Sequence, residues 1–374
     1  MFFEHLFVSF ENYNFKYPYE EKVSMLNKRI LKWVLFLILQ SLVFLISCES
    51  GSKEKDLFNL NWKKNKNNPI FKPAVYSWDS KQVLVGTVLK QDRQYLMWYY
   101  GTGNDRKFSI GIAESSNGIK WRRKVNSPIL TAGSEESWDS YRVSCPFVIR
   151  EQNFFKMWYL GEVKEEGKMR ARIGIATSDN GITWRKSEQN PVFDLTQHDL
   201  SWAYFLRSFW IIKEDSLYKM WFSAVGKEKF RSIESIGYAH SLDGLSWKIY
   251  EKPVLQRDTT SIWEDFYVSN PMVIKANDHY YMFYGGMGRF GYLFKENIGI
   301  AISANGIKWI KNDQNPILVG TDNSSAWDRE FVTQPRVMKI NDGKFYMWYV
   351  GADEKNTLDS LGNYQIGLSI GKYK

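Results

Sequence analysis

The chain nearly repeats one twelve-residue phrase at a fixed interval. IGIAESSNGIKW starts at Ile110, IGIATSDNGITW at Ile173, IGYAHSLDGLSW at Ile236 and IGIAISANGIKW at Ile298, with a partial copy, IGLSI, from Ile366. The closing Trp falls at Trp121, Trp184, Trp247 and Trp309, and Trp62 stands one step earlier, a period of about 62 residues. Three more features keep that period. A Pro-Ile/Val-Leu/Phe step follows each Trp, as in Pro191-Val192-Phe193. A Met-Trp-Tyr strand core recurs, as in Met157-Trp158-Tyr159. A Trp-acid pair recurs at Asp79, Asp139, Glu264 and Asp328, with Trp202-Ala203 in the third copy.

One period holds four short runs rich in aromatic and β-branched residues, punctuated by Gly, Asn and Pro. RVSCPFVIRE, FFKMWYLG, RARIGIATS and TWRKSE are the four strands of the second copy. No stretch after residue 60 carries a sustained helical period. Four strands about every 62 residues, without helices, predict an all-β, five-bladed β-propeller of four-stranded antiparallel blades. The last copy stops after its third strand, and NWKKNKNNPIF, from Asn61, is a stray fourth strand. The N-terminal strand is therefore expected to close the last blade and remove its free edge. A phrase present in every blade cannot mark one site, so the repeat is expected to be frame.

A-x-S-x-D-G-x-x-W, preceded by a Y-Y-M-W-Y-x-G strand, resembles the five-bladed propellers of glycoside hydrolase families 43, 32 and 68 and of the mannoside phosphorylases. TSDNGITW also fits the Asp-box of sialidases. The resemblance covers nearly all of residues 61–374. It implies an axial cavity at the start of the innermost strands, where carboxylates from different blades act on one glycosidic bond. It also implies an Asp directly before the Pro of the innermost strand. That slot holds Val85, Cys145, Phe209, Asn270 and Gln334, none of them a carboxylate.

Polar residues confined to one blade are then the better site candidates. Glu162, Asp265 and Glu330 are the candidate acids. Arg142, Arg207, Asn270, Gln334, Arg336 and Asp199 are the candidate sugar-binding groups, because amides hydrogen-bond hydroxyls and an Arg fork matches carboxylate or phosphate. No metal-ligand spacing occurs, and the resemblance leaves room only for an axial Ca²⁺; no other cofactor is expected.

The first fifty residues have a separate job. MLNKRILKWVLFLILQSLVFLISC, Met25 to Cys48, is a charged segment followed by an apolar run too short for a comfortable membrane span. LISC resembles a bacterial lipobox with Cys48 as the lipidated residue. Residues 1–48 are thus expected to be leader and signal, with a true start at Met25, residues 49–60 a tether, and 61–374 one propeller. The formal charge of +9 comes partly from the leader; the rest is interspersed Lys and Glu with no basic block, so nucleic acid is not an expected partner. The expectation is a monomeric, exported lipoprotein of the cell envelope directed at glycans, as a glycosidase or sugar phosphorylase. The alternative is a carbohydrate- or protein-binding lipoprotein without catalysis.

Overall fold

The computed structural model describes residues 56–226, 234–290, 293–353 and 363–373. Met25 and Cys48, and with them the expected leader, lie outside these residues. The described chain is built of strands, with helix limited to two 3₁₀ turns, Leu57–Asn59 and Leu195–Gln197.

The strands follow the sequence period. β1 (Leu60–Lys64) stands alone at the start. The first unit is β2 (Gln82–Gln91), β3 (Gln94–Thr102), β4 (Ser109–Ser115) and β5 (Arg122–Arg123). The second is β6 (Arg142–Arg150), β7 (Phe155–Glu165), β8 (Lys168–Ser178) and β9 (Arg185–Lys186). The third is β10 (Phe205–Glu214), β11 (Leu217–Val225), β12 (Glu234–Ser241) and β13 (Lys248–Ile249). The fourth is β14 (Tyr267–Ala276), β15 (His279–Phe290), β16 (Leu293–Ser303) and β17 (Ile310–Lys311). The last holds β18 (Phe331–Asn341), β19 (Lys344–Ala352) and β20 (Gln365–Tyr373). Within each unit the strands pair antiparallel in chain order, and β1 pairs antiparallel with β20, placing Trp62 opposite Gly371. The first three units are separate sheets. The fourth and last join into one mixed sheet through a single parallel bridge, Glu296 to Phe331.

The repeated phrase is the turn between the third and fourth strands of a unit, and its residues explain themselves locally. Gly118, Gly181, Gly244 and Gly306 all sit at φ between 72° and 76°, a region that side chains resist. The Ser three residues earlier accepts the glycine N–H, as Ser178 Oγ does from Gly181 at 2.9 Å. The glycine carbonyl then accepts a tryptophan from the unit before. Trp98 Nε1 donates to Gly181 at 3.0 Å, Trp158 to Gly244 at 2.9 Å, Trp221 to Gly306 at 2.8 Å and Trp348 to Gly118 at 2.9 Å. All four indoles are fully buried. A buried Trp needs a partner for its one donor, and the repeat supplies it in the neighbouring unit.

The Trp-acid pair is frame as well. Tyr159 Oη donates to Asp139 at 3.0 Å, and Lys186 Nζ reaches the same carboxylate at 2.6 Å. Tyr99, Asp79 and Arg123 repeat this set, as do Tyr284, Glu264 and Lys311, and Tyr349, Asp328 and Lys64. The third unit changes all three members together, to Ala203, Phe222 and Ile249. Ile249 pairs with Ala239 as Lys186 pairs with Ala176, so the positions correspond. A buried carboxylate stripped of its donors is costly, so the set is kept whole or replaced whole.

Candidate active site

A cavity of about 320 Å³ is lined by residues of all five units. Part of its wall comes from one cross-strand row, which contributes Gln82, Phe108, Arg142, Glu162, Phe205, Glu234, Tyr267, Glu296 and Tyr364. In the first unit the row is Gln82, Thr102 and Phe108, with Gln82 opposite Thr102. In the second it is Arg142, Glu162 and Ala171. The third gives Phe205, Val225 and Glu234. The fourth gives Tyr267, Met287 and Glu296. In the last, Phe331 faces Ala352, and Tyr364 lines the cavity.

The innermost strand of every unit carries one extra residue just inside this row, a β-bulge that turns a side chain toward the cavity. The register shifts fall at Val85/Thr87, Ser144/Phe147, Leu206/Ser208, Ser269/Met272 and Thr333/Arg336. Cys145, Asn270 and Gln334, each directly before a Pro, adopt φ of 50°, 51° and 50°. They line the cavity together with Arg207. Counting a fixed distance from the preceding Trp selects Phe209 in the third unit. The bulge there lies earlier, so Phe209 is buried in the core and Arg207 takes the cavity position.

Two carboxylates face this cavity that the candidate acids did not include, Glu234 and Glu296. Both sit two residues before the repeated Ile-Gly, where the other units have Phe108, Ala171 and Tyr364. Glu234 is 7% exposed and Glu296 5%. Burial pushes the Glu234 carboxyl up to about 7; the Arg207 guanidinium opposes the rise and the negative charge of Glu296 adds to it. Burial also raises Glu296, held back by hydrogen bonds from Thr333, Ser269 and Asn270. Thr333 Oγ1 donates to Glu296 Oε1 at 2.7 Å and Ser269 Oγ at 2.9 Å. Asn270 Nδ2 in turn donates to both hydroxyl oxygens, at 3.0 and 3.1 Å. Tyr267 is pushed well above the usual phenol range, first by burial and then by the two glutamates, so it stays a neutral donor.

The other expected residues divide. Glu162 lines the cavity, 3% exposed, with Arg142 Nη2 donating to its Oε2 at 2.9 Å. Arg142 Nε stands 2.9 Å from Oε1 without the alignment of a second hydrogen bond. Arg207 is exposed to the cavity; its guanidinium lies 5.4 Å from the Phe205 ring centre and makes no ion pair among the described residues. Gln334 is bound to Tyr100, Nε2 to Oη at 2.8 Å. Cys145 is a buried thiol whose pKa burial raises, which makes it a poor nucleophile.

Asp265, Glu330, Arg336 and Asp199 are not among the lining residues. Asp265 pins a loop, accepting the Arg289 N–H at 3.1 Å. Glu330 is fully buried behind the wall, paired with Arg329, while its carbonyl accepts the Glu296 N–H at 2.9 Å. Arg336 is buried in the core, where it donates to the Gly86 and Pro335 carbonyls and lies 5.0 Å from the Trp210 ring. The bulge at Gln334-Pro335 reverses the alternation of faces, so a residue two steps from Gln334 points away from the cavity. Asp199 is exposed on the loop that follows Leu195–Gln197. Among the described residues no group of three His, Cys, Asp or Glu could hold a metal ion.

Acids, amides and phenols around one cavity can hydrogen-bond hydroxyl groups and exchange a proton with a bound molecule. Solved structures with this architecture include glycoside hydrolases. One, titled as showing that the GH130 family of mannoside phosphorylases contains hydrolases targeting β-1,2 mannosidic linkages in Candida mannan, superposes with a TM-score of 0.62 at 18% identity, over 86% of this chain and 94% of that one. A thermostable family-43 glycoside hydrolase gives 0.59 at 21% identity, over 81% and 91%. The fold is that of the glycoside hydrolase β-propellers.

Two sequence relatives are mannoside phosphorylases. The chain is 25% identical to a 1,2-β-oligomannan phosphorylase of Thermoanaerobacter sp. (strain X514) over 246 residues, 64% of this chain and 74% of that protein. It is 33% identical to a β-1,2-mannobiose phosphorylase of the same strain over 122 residues, 30% and 39% of the two chains. An uncharacterised protein of Mycobacterium tuberculosis is 27% identical over 245 residues, 63% and 77%. No protein-family model matches the chain.

Proposed function

We propose that this chain cleaves glycosidic bonds in the axial cavity of a five-bladed propeller, with Glu234 as general acid and Glu296 as the second carboxylate. The observation that carries the reading is the pair itself. Two buried carboxylates from neighbouring units face one cavity, and one of them holds its proton near neutrality. Glu234 gives its proton to the departing oxygen; Glu296, held by hydroxyl donors, takes the proton of an attacking water. Five blades closed by β1 are supported by its pairing with β20 and by the Trp348 bond back to Gly118.

The substrate class we infer is a β-1,2-linked mannoside, from the relatives' activities. A second reading, phosphorolysis, is favoured by Arg207, a cation beside Glu234 with no ion-pair partner among the described residues. Phosphate oxygen then attacks the anomeric carbon while Glu234 protonates the leaving oxygen, and no base is needed. Incubating the protein with β-1,2-mannobiose, with and without inorganic phosphate, separates the readings. Mannose 1-phosphate formed only with phosphate marks phosphorolysis, and Arg207→Ala then raises the KM for phosphate. Free mannose in both tubes marks hydrolysis. No product from this or a wider β-mannoside panel rejects catalysis.

The pH profile is a further expected result. The acid must be protonated, so the rate falls as pH rises through about 7, following Glu234. In hydrolysis the base must be ionised, so the rate also falls as pH drops through the raised pKa of Glu296. A profile flat from pH 6 to 9 would remove Glu234 from the acid role.

Export remains part of the proposal, on the strength of the Met25–Cys48 segment. Expressed in a bacterial host fed labelled palmitate, the chain is expected to take up label at Cys48, and Cys48→Ala to take up none. Equal labelling of the two would reject lipidation at Cys48.

A further inference from the structure

A second cavity lies apart from the axial one. About 700 Å³ in volume, it lies between the β1–β20 edge and the turn that follows β4. Lys63, Lys64, Lys66, Lys120 and Lys372 line it with Tyr373 and several asparagines, and no Asp or Glu does. Lys64 is taken by Asp328 at 2.7 Å. Lys63, Lys66, Lys120 and Lys372 are exposed and make no ion pair among the described residues. The walls are fixed, because the Gly118 carbonyl accepts both Trp348 at 2.9 Å and Trp121 at 3.1 Å.

After the closing Trp, three of the four other copies carry an acid, Glu188, Glu251 and Asp313. The fourth, RRKVNS after Trp121, has none, but its Arg122, Arg123 and Lys124 are all ion-paired, to Glu114 and Asp79. The copy that begins at Trp62 reads KKNKNN, with amides and ammoniums only. Four exposed like charges around one concavity give it a positive potential that attracts anions.

We propose that this groove binds an anionic polysaccharide, one bearing uronate or sulfate groups, at a site separate from the axial cavity. The ammoniums take the acid groups, and the asparagines and Tyr373 take hydroxyls and a sugar face. Shape favours a polymer strand over a membrane: an open concavity can seat a chain along its length, whereas a bilayer surface meets a flat or convex patch. The site does not depend on the catalytic reading, because no residue is shared between the two cavities.

The test measures binding of full-length protein to polygalacturonate, to dextran sulfate and to neutral dextran at low and physiological salt. Lys63, Lys66, Lys120 and Lys372 changed together to Gln are expected to weaken binding of an acidic polymer about tenfold or more. Changing Lys81, Lys248, Lys252 and Lys308 to Gln removes the same charge elsewhere and is expected to leave it intact. Thermal transitions and turnover of a disaccharide should be unmoved in both. Equal weakening by the two sets would reduce the effect to net charge and overturn the site. So would failure of both acidic polymers to bind, or binding only to phosphatidylglycerol vesicles.

Discussion

Glu234→Gln is expected to lower kcat by about 10²–10⁴-fold, the range a positioned general acid supplies. The substitution is nearly isosteric and mimics the protonated carboxyl, so the fold should survive it. The loss should shrink on an aryl mannoside, whose leaving group departs without a proton. The fall in rate above about pH 7 should vanish with it. Under hydrolysis Glu296→Gln is expected to cost a similar factor, on both kinds of substrate, because no leaving group replaces the base. Glu162→Gln, which removes a carboxylate already matched with Arg142, should cost less than either. Near-normal turnover by Glu234→Gln on an alkyl mannoside would end the assignment.

The second large effect is on stability. Asp139→Ala leaves Tyr159, Lys186 and Ser137 without the acceptor they share, in a place where the carboxylate is 1% exposed. Breaking such a set from one side is expected to destabilise by about 3 kcal/mol, seen as a lower denaturant midpoint. The triple change Asp139→Ala, Tyr159→Phe, Lys186→Ile copies the solution the third unit already uses and is expected to recover most of that loss. If the triple variant is as unstable as the single one, the set is not the unit of stability we describe.

Much of the fold could be read from periodic residues, because each does a local task that any unit needs. Gly181 turns, Ser178 caps the turn and Trp98 reaches across to it. The site was less legible. Of the residues that break the symmetry, Glu162, Arg142 and Arg207 line the cavity while Asp265, Glu330, Arg336 and Asp199 do not, and the slot before the Pro adds Asn270 and Gln334. Neither criterion takes in the third strand, where Glu234 and Glu296 stand two residues before the repeated Ile-Gly. Comparing Phe108, Ala171, Glu234, Glu296 and Tyr364 would have exposed them. Arg336 shows the other limit. A bulge changes which face a residue occupies, and a fixed count along the chain cannot see it. Asp265 and Glu330 sit at unit edges, where a lone acid serves loop and ion-pair contacts as readily as chemistry.

Site and frame occupy opposite ends of the same strand. On β12, Glu234 is the first residue and Ser241, which caps the repeat turn, the last. Seven steps at about 3.4 Å each put them roughly 24 Å apart. Substitutions that far apart usually combine additively. Turnover and heat tolerance can therefore be improved in separate libraries, one confined to the cavity row and one to the turns, and the winners joined without a further round of selection.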